Sequence, residues 1–451
     1  MSRVDVVVVG GGLAGLAAAV ACADGGLRVT LLEGRPRLGG ATWSLRRDGL
    51  VLDNGQHVFL RCCTAYRGFL ARLGVERSVA LQSRLDVPVA EPGGRRCRLR
   101  RHPLPSPAHL APSLLRFTHL PFAARVRAGL TARRLGEIDL DDPRTDEQSL
   151  GEWLAARGES DEAIDLFWDL LIRPTLNLAA RDASLALAAK VFQTGLLGEV
   201  DAADIGWARV PLDELHARPA AALLTARGAE VRLGTRVERI GPPSGGRREV
   251  SIAGAPPMGA PAVIVATDHE RAADLVPADS GLDGGALRAL GAAPIVNLHV
   301  AFDRPVLDVP FLAVVRSPLQ WIFDRTDTSG LASGQMLAVS LSAADAYLDV
   351  KQGDLANAFL PELARLLPAC RGAAVTHFSA VREPAATFRQ RPGTRKLRPR
   401  PGRLAPGLFL AGAWTDTGWP ATMEGAVRSG VAAAREVMAS LLGSRPSSEA
   451  A

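Results

Sequence analysis

The first thirty residues combine apolar runs and glycines in a pattern that predicts three elements. Residues 4–9 read VDVVVV, and this short apolar run predicts a buried strand. The alanine-rich stretch after the glycines predicts a helix, and residues 28–32 (RVTLL) predict a second strand. Strand, helix and strand in this order are typical of a βαβ unit, in which the two strands lie parallel in one sheet.

The glycine cluster between the first strand and the helix has the spacing Gly-x-Gly-x-x-Gly. Gly10 permits the tight turn, Gly12 lets the backbone approach a pyrophosphate, and Gly15 lets the helix pack close to the strand. Leu13 and Ala14 begin the helix, where free N–H groups and the helix dipole favour phosphate. This arrangement predicts a dinucleotide-binding site.

The second strand leads into an acidic residue, which a nucleotide site of this type uses to bind a ribose. Glu33 stands eighteen residues after the last glycine of the triplet, at the right distance for that hydrogen bond. Gly34 and Arg35 follow it, and Gly39 and Gly40 form a second glycine pair. A nicotinamide enzyme has no need of the second pair, whereas an extended FAD needs close backbone approach at a second place. The sequence therefore predicts FAD as the cofactor.

These motifs resemble the amine oxidase and phytoene desaturase superfamily of flavoproteins, in which Glu-x-x-x-x-x-Gly-Gly follows the first βαβ unit. The resemblance implies an α/β fold with a Rossmann-like FAD-binding domain of the glutathione reductase type and an inserted α+β substrate domain. It also implies that Gly55 and Gln56 lie at the cofactor and that Val237 touches the adenine through its backbone. One departure is that Ala41 and Thr42 stand where the superfamily usually has an arginine.

A stretch near the end of the chain, LFLAGAWTDTGWPATMEGAVRSG, matches the part of the superfamily that holds the flavin. Residues 408–411 are a predicted strand, which in the superfamily returns beside the first one. Residues 261–267 predict another buried strand that leads back to FAD. Pro420 suits the first turn of a helix, so Thr422 and Met423 are expected near the helix N-terminus that faces the flavin.

The loop between this strand and this helix departs from the superfamily, where Gly-Asp is common and the carboxylate lies near the ribityl chain. This chain has Gly412 and Ala413, so their backbone is the predicted cofactor contact. Asp416 comes three residues later and is a candidate substitute for the missing carboxylate.

The motifs divide the chain into alternating segments. The predicted FAD-binding domain takes residues 1–90, 215–275 and 400–440, a helical substrate- and membrane-facing insertion takes 91–214, a substrate-domain sheet takes 276–399, and 441–451 form a disordered tail. Residues 102–136 mix arginine with leucine and phenylalanine, which fits either an amphipathic face that touches a membrane or an ordinary solvated helix pair. The helices that follow are mainly hydrophobic, which favours an apolar substrate.

The amino-acid composition limits the kinds of partner that we expect this protein to bind. The 451 residues carry a formal net charge of +6, yet aromatic residues make up only 5% and no helix-turn-helix or zinc-type pattern favours nucleic acid. The five cysteines have neither metal spacing nor a disulfide framework, which indicates a reducing cytosol and no bound metal. Because we find neither a secretory signal nor an apolar stretch of about 18 residues, we expect no export by that route and no membrane span.

Two longer strings, LDNGQHVFLRCCTAYRGFLARLG and GAWTDTGWPATMEGAVRSG, resemble the hydroxysqualene dehydroxylase family of squalene-associated flavoproteins. The resemblance extends along nearly the whole chain. It implies a cytoplasmic enzyme, peripherally associated with a membrane, that uses reduced FAD to remove the hydroxyl of the isoprenoid hydroxysqualene and form squalene in hopanoid biosynthesis. The external donor that reduces FAD stays open.

Departure of a hydroxyl is helped by a proton donor. His57 is the titratable group most closely tied to the predicted flavin segment, and it is interpreted either as that donor or as a ring that orients the backbone. Asp53 and Asp416 are weaker acid candidates. No Ser/His/Asp grouping or carboxylate pair indicates a hydrolase.

Three other functions stay open at this point. A carotenoid or phytoene-type desaturase would run the flavin in the opposite direction and take hydride from its substrate. A flavin amine oxidase would want an aromatic cage, although the chain has only two tyrosines, Tyr66 and Tyr347. A flavoprotein scaffold with structural FAD is conceivable because the usual arginine and aspartate are missing.

Overall fold

The computed structural model describes residues 4–443, and its central layer is a six-stranded sheet. In spatial order the strands are Glu230–Arg232, Val29–Leu32, Val6–Val9, Ala262–Val265, Leu408–Leu410 and Gly402–Ala405. The first five run parallel, and the last is antiparallel to its neighbour. The four inner strands are buried at every position, and Thr30 is their one polar residue, because helices cover both faces of such a sheet. The loops after the parallel strands therefore meet at one edge, where ligands bind in folds of this kind.

The position of the late strand differs from the sequence prediction. Leu408–Leu410 does not lie beside the first strand, because Ala262–Val265 pairs with both and stands between them. All four residues of Ala262–Val265 are apolar and buried, so this strand is suited to a central place in the sheet.

The start of the last helix is also corrected. The helix runs from Met423 to Leu442, and Thr422 is its N-cap, with a hydroxyl that accepts a hydrogen bond from the N–H of Gly425. Pro420 therefore lies before the cap rather than in the first turn. A threonine that satisfies a free N–H is a stronger start signal than a nearby proline.

A seven-stranded sheet forms the second layer. Its spatial order is Val375–Phe388, Ala292–Phe302, Gln335–Ser342, Trp321–Asp324, Phe311–Val314, Asp86–Ala90 and Arg96–Arg100. One face packs against the helix Gln352–Leu366, with Phe359 and Leu363 in that core. The opposite face lies on residues 53–57, since Asn297 and His299 from that face bond to the backbone there.

Smaller sheets and the helices complete the described chain. The small sheets are Val237–Ser244 with Arg247–Ile252 and Ala255–Ala260, Ser44–Arg47 with Leu50–Asp53, and Val58–Leu60 with Ile205–Ala208 and Val79–Leu81. The α-helices are Leu13–Asp24, Thr64–Arg72, Ala111–Leu115, Phe122–Leu135, Leu150–Ala155, Asp161–Ala163, Asp169–Leu176, Leu185–Val191, Arg218–Ala226, His269–Leu275, Gly284–Ala289, Thr326–Ser329, Gln352–Leu366 and Met423–Leu442. Wider π-type turns occur at Ile164–Trp168, Phe192–Leu196 and Asp213–Ala217.

Two of the predicted segment boundaries, at residues 90 and 440, can be compared with the observed strands and helices. Strands on both sides of the predicted boundary at residue 90, Asp86–Ala90 and Arg96–Arg100, belong to the seven-stranded sheet. Most of the predicted tail, residues 444–451, lies outside the described residues, whereas the last helix continues to Leu442. Within residues 4–443, no helix has both the length and the apolar character needed to cross a bilayer.

Candidate cofactor site

The two glycine motifs lie side by side. The N–H of Gly39 donates to the carbonyl of Gly11 at 2.9 Å, and Gly12 pairs with Gly39 as a short parallel bridge. A Cβ on Gly40 would lie 2.7 Å from the Cα of Gly12, closer than carbon atoms approach. Gly10, Gly39 and Gly40 also have positive φ angles, of 108°, 105° and 58°. The second pair is therefore glycine because it packs on the first.

Gly12 differs from the neighbouring glycines because the space beside it is open. A Cβ on Gly10 would meet the carbonyl oxygen of Ala266 at 2.6 Å, and one on Gly15 would meet that of Gly10 at 1.9 Å. A Cβ on Gly12 would meet only Gly40, at 3.7 Å, within the described chain. Gly12 is the N-cap of the helix Leu13–Asp24, so the open space adjoins the free N–H groups of Leu13 and Ala14. The space suits a phosphate.

Glu33 is held by backbone on both sides. Its Oε2 accepts from the N–H of Gly11 and its Oε1 from the N–H of Arg35, each at 2.7 Å. The carboxylate is therefore fixed beside the glycine turn, and its other lone pairs are available to a ribose. Gly34 and Arg35 are exposed.

The turn between the strand Glu230–Arg232 and Val237 lies at the same place. The N–H of Thr235 donates to the Glu33 carbonyl at 2.8 Å, so the predicted adenine and ribose segments are neighbours. Val237 itself is buried, and its carbonyl accepts a hydrogen bond from Arg271. A carbonyl oxygen has two lone pairs, so this hydrogen bond leaves the backbone of Val237 able to contact adenine, and that contact stays a prediction.

A cation near the second glycine pair comes from a residue that the sequence analysis did not single out. Arg37 donates to the Gly40 carbonyl at 3.2 Å, and its guanidinium lies 4.0 Å from the ring centre of Trp43. Burial and the charge of Arg35 lower the pKa of this guanidinium. An arginine therefore lies beside the second glycine pair, although the usual one directly after the pair is missing.

Residues 53–57 form the wall between the two sheets. Asp53 forms a buried ion pair with Arg325 at 2.8 Å and also accepts from Ser44, so its carboxylate is occupied by structural partners. Asn54 donates to the Ala41 carbonyl at 2.9 Å and to Glu383. The weak acid candidate Asp53 therefore supports the fold, and Asn54 ties the second glycine loop to the seven-stranded sheet.

His57 is oriented by the backbone. Its Nδ1 lies 3.1 Å from the Gly55 carbonyl, so that nitrogen donates the hydrogen bond. Burial lowers the pKa of His57, against the raising effects of that carbonyl and of the Asp53 charge. His57 and Gln56 line a narrow pocket of about 10 Å³, and within residues 4–443 the buried Nε2 of Gln56 has no hydrogen-bond partner.

Asn297 adds a polar group that the sequence analysis missed. It is fully buried, its Nδ2 donates to the Asn54 carbonyl at 2.9 Å, and its Oδ1 has no partner in the described chain. Such an atom costs free energy unless a ligand or water pairs with it. The alternation in IVNLHV, with Asn297 and His299 among apolar residues, is the signal that could have identified this face.

Arg398 holds the loop between the strand Leu408–Leu410 and the last helix. This buried guanidinium donates to the carbonyls of Trp414 at 3.0 Å, Thr415 at 2.6 Å and Trp419 at 2.9 Å. Three carbonyls from two turns therefore converge on one side chain, and the loop keeps a single shape.

The two ends of the chain meet in the structure. The N–H of Gly412 donates to Ser429 at 2.8 Å, and a Cβ on Gly430 would lie 2.1 Å from the carbonyl of Ala14. The last helix thus packs directly on the first. The cofactor contacts of Ala413, Thr422 and Met423 stay predictions. Asp416 instead accepts from the N–H of Gly418 at 3.1 Å and faces Arg395, in the turn beyond the loop.

These features fit an elongated dinucleotide. An open space adjoins free helix N–H groups at one end, and buried polar atoms of Gln56 and Asn297 that have no partner within residues 4–443 lie further along. The carboxylate of Glu33 is placed for the ribose between the glycine turn and the turn that precedes Val237. The residues present therefore suit FAD.

Comparison with known proteins gives a consistent picture. A family model described as flavin containing amine oxidoreductase matches residues 13–438. Relatives named hydroxysqualene dehydroxylase, from Rhodopseudomonas palustris and Sinorhizobium fredii, are 29% and 27% identical; the matches cover 96% and 95% of this chain and 98% and 97% of those proteins. A relative named 15-cis-phytoene desaturase, from Glycine max, is 25% identical over 97% of this chain and 80% of that protein.

Solved structures show the same fold. Cyclohexylamine oxidase from Brevibacterium oxydans matches with a TM-score of 0.74 and 20% identity, over 98% of this chain and 100% of that one. A variant of putrescine oxidase matches with a TM-score of 0.74 and 19% identity, over 97% and 99%. The predicted α/β fold, the FAD cofactor and the resemblance to hydroxysqualene dehydroxylases are confirmed by these findings together.

Proposed function

Because this FAD-dependent oxidoreductase belongs to the flavin-containing amine oxidoreductase family, we propose that it removes the hydroxyl of hydroxysqualene reductively and releases squalene. The similarity along nearly the whole chain to two proteins named hydroxysqualene dehydroxylase carries this proposal. The apolar character of the buried helices between residues 150 and 192 is consistent with a long isoprenoid substrate. We propose that this reaction is a step of hopanoid-type isoprenoid biosynthesis.

The reaction requires an allylic C–O bond to break. The protein contributes by orienting the substrate and by keeping water away from it. Bound FAD in its reduced form supplies the hydride that replaces the hydroxyl. Asn297 and Gln56 offer buried polar atoms at the wall of residues 53–57, where they can hold the cofactor edge or the substrate hydroxyl. Exclusion of water from the site would protect the substrate from a competing reaction.

The assay for this function uses purified protein with FAD, a chemical reductant and hydroxysqualene. We expect squalene as the product. Parallel reactions with oxidised enzyme and phytoene test the desaturase alternative, and reactions with amines and a peroxide readout test the amine oxidase alternative. Desaturated carotenoid or peroxide without squalene would overturn the proposal. Cofactor that is never reduced or reoxidised in the presence of any lipid would favour the scaffold.

His57 is the proposed proton donor, in preference to Asp416, because His57 lies at the pocket whereas Asp416 faces Arg395. Since its pKa is lowered, the protonated ring is scarce at neutral pH and becomes common only as the pH falls. We expect the single-turnover rate to decrease about tenfold per pH unit above that pKa. His57→Gln should flatten this profile, with His102→Gln, remote from the pocket, as control. An unchanged profile in His57→Gln would leave His57 only its orienting role.

We further propose that the enzyme works at the cytoplasmic surface of a membrane and meets it with the region around the helix Phe122–Leu135. Five large apolar side chains are exposed there: Leu104, Leu115, Phe122, Val126 and Leu130, the third and fifth at 64% and 62%. Phe122, Val126 and Leu130 recur every four residues on one face of the helix. Exposed arginines on the same segment, such as Arg133 and Arg134, suit anionic headgroups.

The double variant Phe122→Asp and Leu130→Asp is expected to weaken binding to anionic vesicles by about 100-fold or more, since each side chain contributes about 1.5–3 kcal/mol when buried. Vesicle co-sedimentation measures this effect. Leu233→Asp with Val375→Asp is the matched control, because both leucine and valine are exposed in other parts of the structure, at 45% and 41%. Equal loss in both pairs would contradict the placement of the membrane face.

A further inference from the structure

Four aromatic rings form one cluster at the pocket that contains Gln56 and His57. The aromatic cluster consists of Trp207, Phe311, Trp321 and Phe323. The ring centres of Trp207 and Phe311 are 5.7 Å apart. Those of Phe311, Trp321 and Phe323 are 6.1 to 6.2 Å from one another. Trp207 and Phe323 line the pocket directly, beside His57. The small number of tyrosines gave no sign of this cluster, because it is built from tryptophan and phenylalanine.

Strand register explains why these rings share one face. Phe311 pairs with Phe323, and Trp321 stands two residues away, so all three point to the same side of the seven-stranded sheet. Trp321 lies opposite Ser340, which lies opposite Asn297 on the next strand. The face with the rings is therefore the face that contacts residues 53–57.

The charged groups that line the pocket already have partners, which leaves the aromatic faces to interact with a cation. The charged pair that lines it, Asp53 and Arg325, is mutually neutralised at 2.8 Å. The remaining charged group, Asp324, is engaged with Thr326 and Gln335. Aromatic faces attract positive charge without acting as a base or a nucleophile, so they can stabilise a reactive cation without reacting with it.

We propose that the aromatic cluster stabilises the carbocation formed when hydroxide leaves the substrate, an inference that rests on the proposed function. The C–O bond breaks with both electrons on oxygen, and a proton from the acid converts the leaving group to water. The hydride supplied by reduced FAD then brings the two electrons that close the cation, while the cofactor is oxidised. The cluster acts between these events, because only the transition state and the cation carry the charge that it attracts.

The test measures binding rather than turnover. The probe is a long isoprenoid amine whose ammonium nitrogen replaces the hydroxyl-bearing carbon, compared with a neutral hydrocarbon of equal length on the oxidised holoenzyme. Equilibrium dialysis gives both affinities. Wild-type enzyme is expected to prefer the ammonium by about tenfold. Phe323→Leu and Trp207→Leu should each reduce this preference several-fold, and Trp207→Phe, which keeps a ring, should retain most of it.

The matched control is Phe359→Leu, which removes a ring of the same kind from the opposite face of the sheet, where it packs on Tyr347. Its ammonium preference should equal that of wild type. A preference that is absent in wild type, or unaltered in both Phe323→Leu and Trp207→Leu, overturns the inference.

The binding result and the squalene assay separate this inference from the proposed function. Squalene formation with no ring-dependent preference rejects the cluster alone. A ring-dependent preference without squalene formation from hydroxysqualene overturns the carbocation role together with the proposed function. Oxidation of the amine probe with release of peroxide also overturns it, because the cation would then be a substrate.

Discussion

Gly12→Val is expected to give a folded protein that does not retain flavin. Gly12 has ordinary backbone angles, φ −76° and ψ 178°, and only Gly40 lies near its missing side chain, so valine costs the fold little. The methyl groups would occupy the open space at the helix N-terminus and displace the phosphates from the N–H groups. Loss of two charge-assisted hydrogen bonds, about 1.5–3 kcal/mol each, lowers FAD affinity by at least about 100-fold.

The measurement is the flavin absorbance that stays with the protein after gel filtration, together with circular dichroism of the same sample. Gly353→Val is the control, because Gly353 also has open space beside it but lies in the helix Gln352–Leu366 behind the second sheet. A yellow Gly12→Val protein with normal flavin bands would show that the nucleotide lies elsewhere.

Arg398→Met is expected to have the second largest effect, this time on both stability and flavin retention. Methionine fills much of the buried space but leaves the carbonyls of Trp414, Thr415 and Trp419 without their shared donor. Unpaired buried groups cost about 1–3 kcal/mol each, so the free energy of unfolding should fall by about 3–5 kcal/mol after partial relaxation. The loop that carries Gly412 and Ala413 would also lose its fixed shape.

Chemical denaturation and the fraction of bound flavin measure this prediction. Lys396→Met, two residues away on the surface, removes a cation of the same charge and should leave both quantities unchanged. Arg398→Lys tests geometry, since one ammonium cannot reach three carbonyls in the planar arrangement of a guanidinium. Equal stability of Arg398→Met and Lys396→Met would show that the loop is held by other contacts.

The dinucleotide unit could be predicted because its geometry is local. The turn after the first strand, the free N–H groups of the helix and the place of Glu33 all lie within about 30 residues, and their spacing follows from strand and helix dimensions. The same reasoning failed at the last helix, where Pro420 was placed in the first turn. Capping by Thr422 decides that start.

The other site residues could not be predicted from local pattern. Asn297 forms a hydrogen bond with a residue 243 positions away, and Glu383 forms one with Asn54, 329 positions away. The hydrogen bonds of Arg398 span at least 16 positions. Which of many buried polar residues faces the cofactor depends on how two sheets pack. The aromatic cluster has the same origin, since Trp207 and Phe311 come from different sheets.

By itself the sequence determined the nucleotide-binding unit, the kind of cofactor and the family resemblance, because these depend on glycine spacing within short segments and on residue identity along the chain. Only the tertiary structure decided that Ala262–Val265 separates the first and last parallel strands, that Asp53 is an ion-pair partner, and that burial lowers the pKa of His57. Strand order, ion pairing and desolvation depend on which distant segments come into contact, and the spacing of residues along one segment carries no record of that.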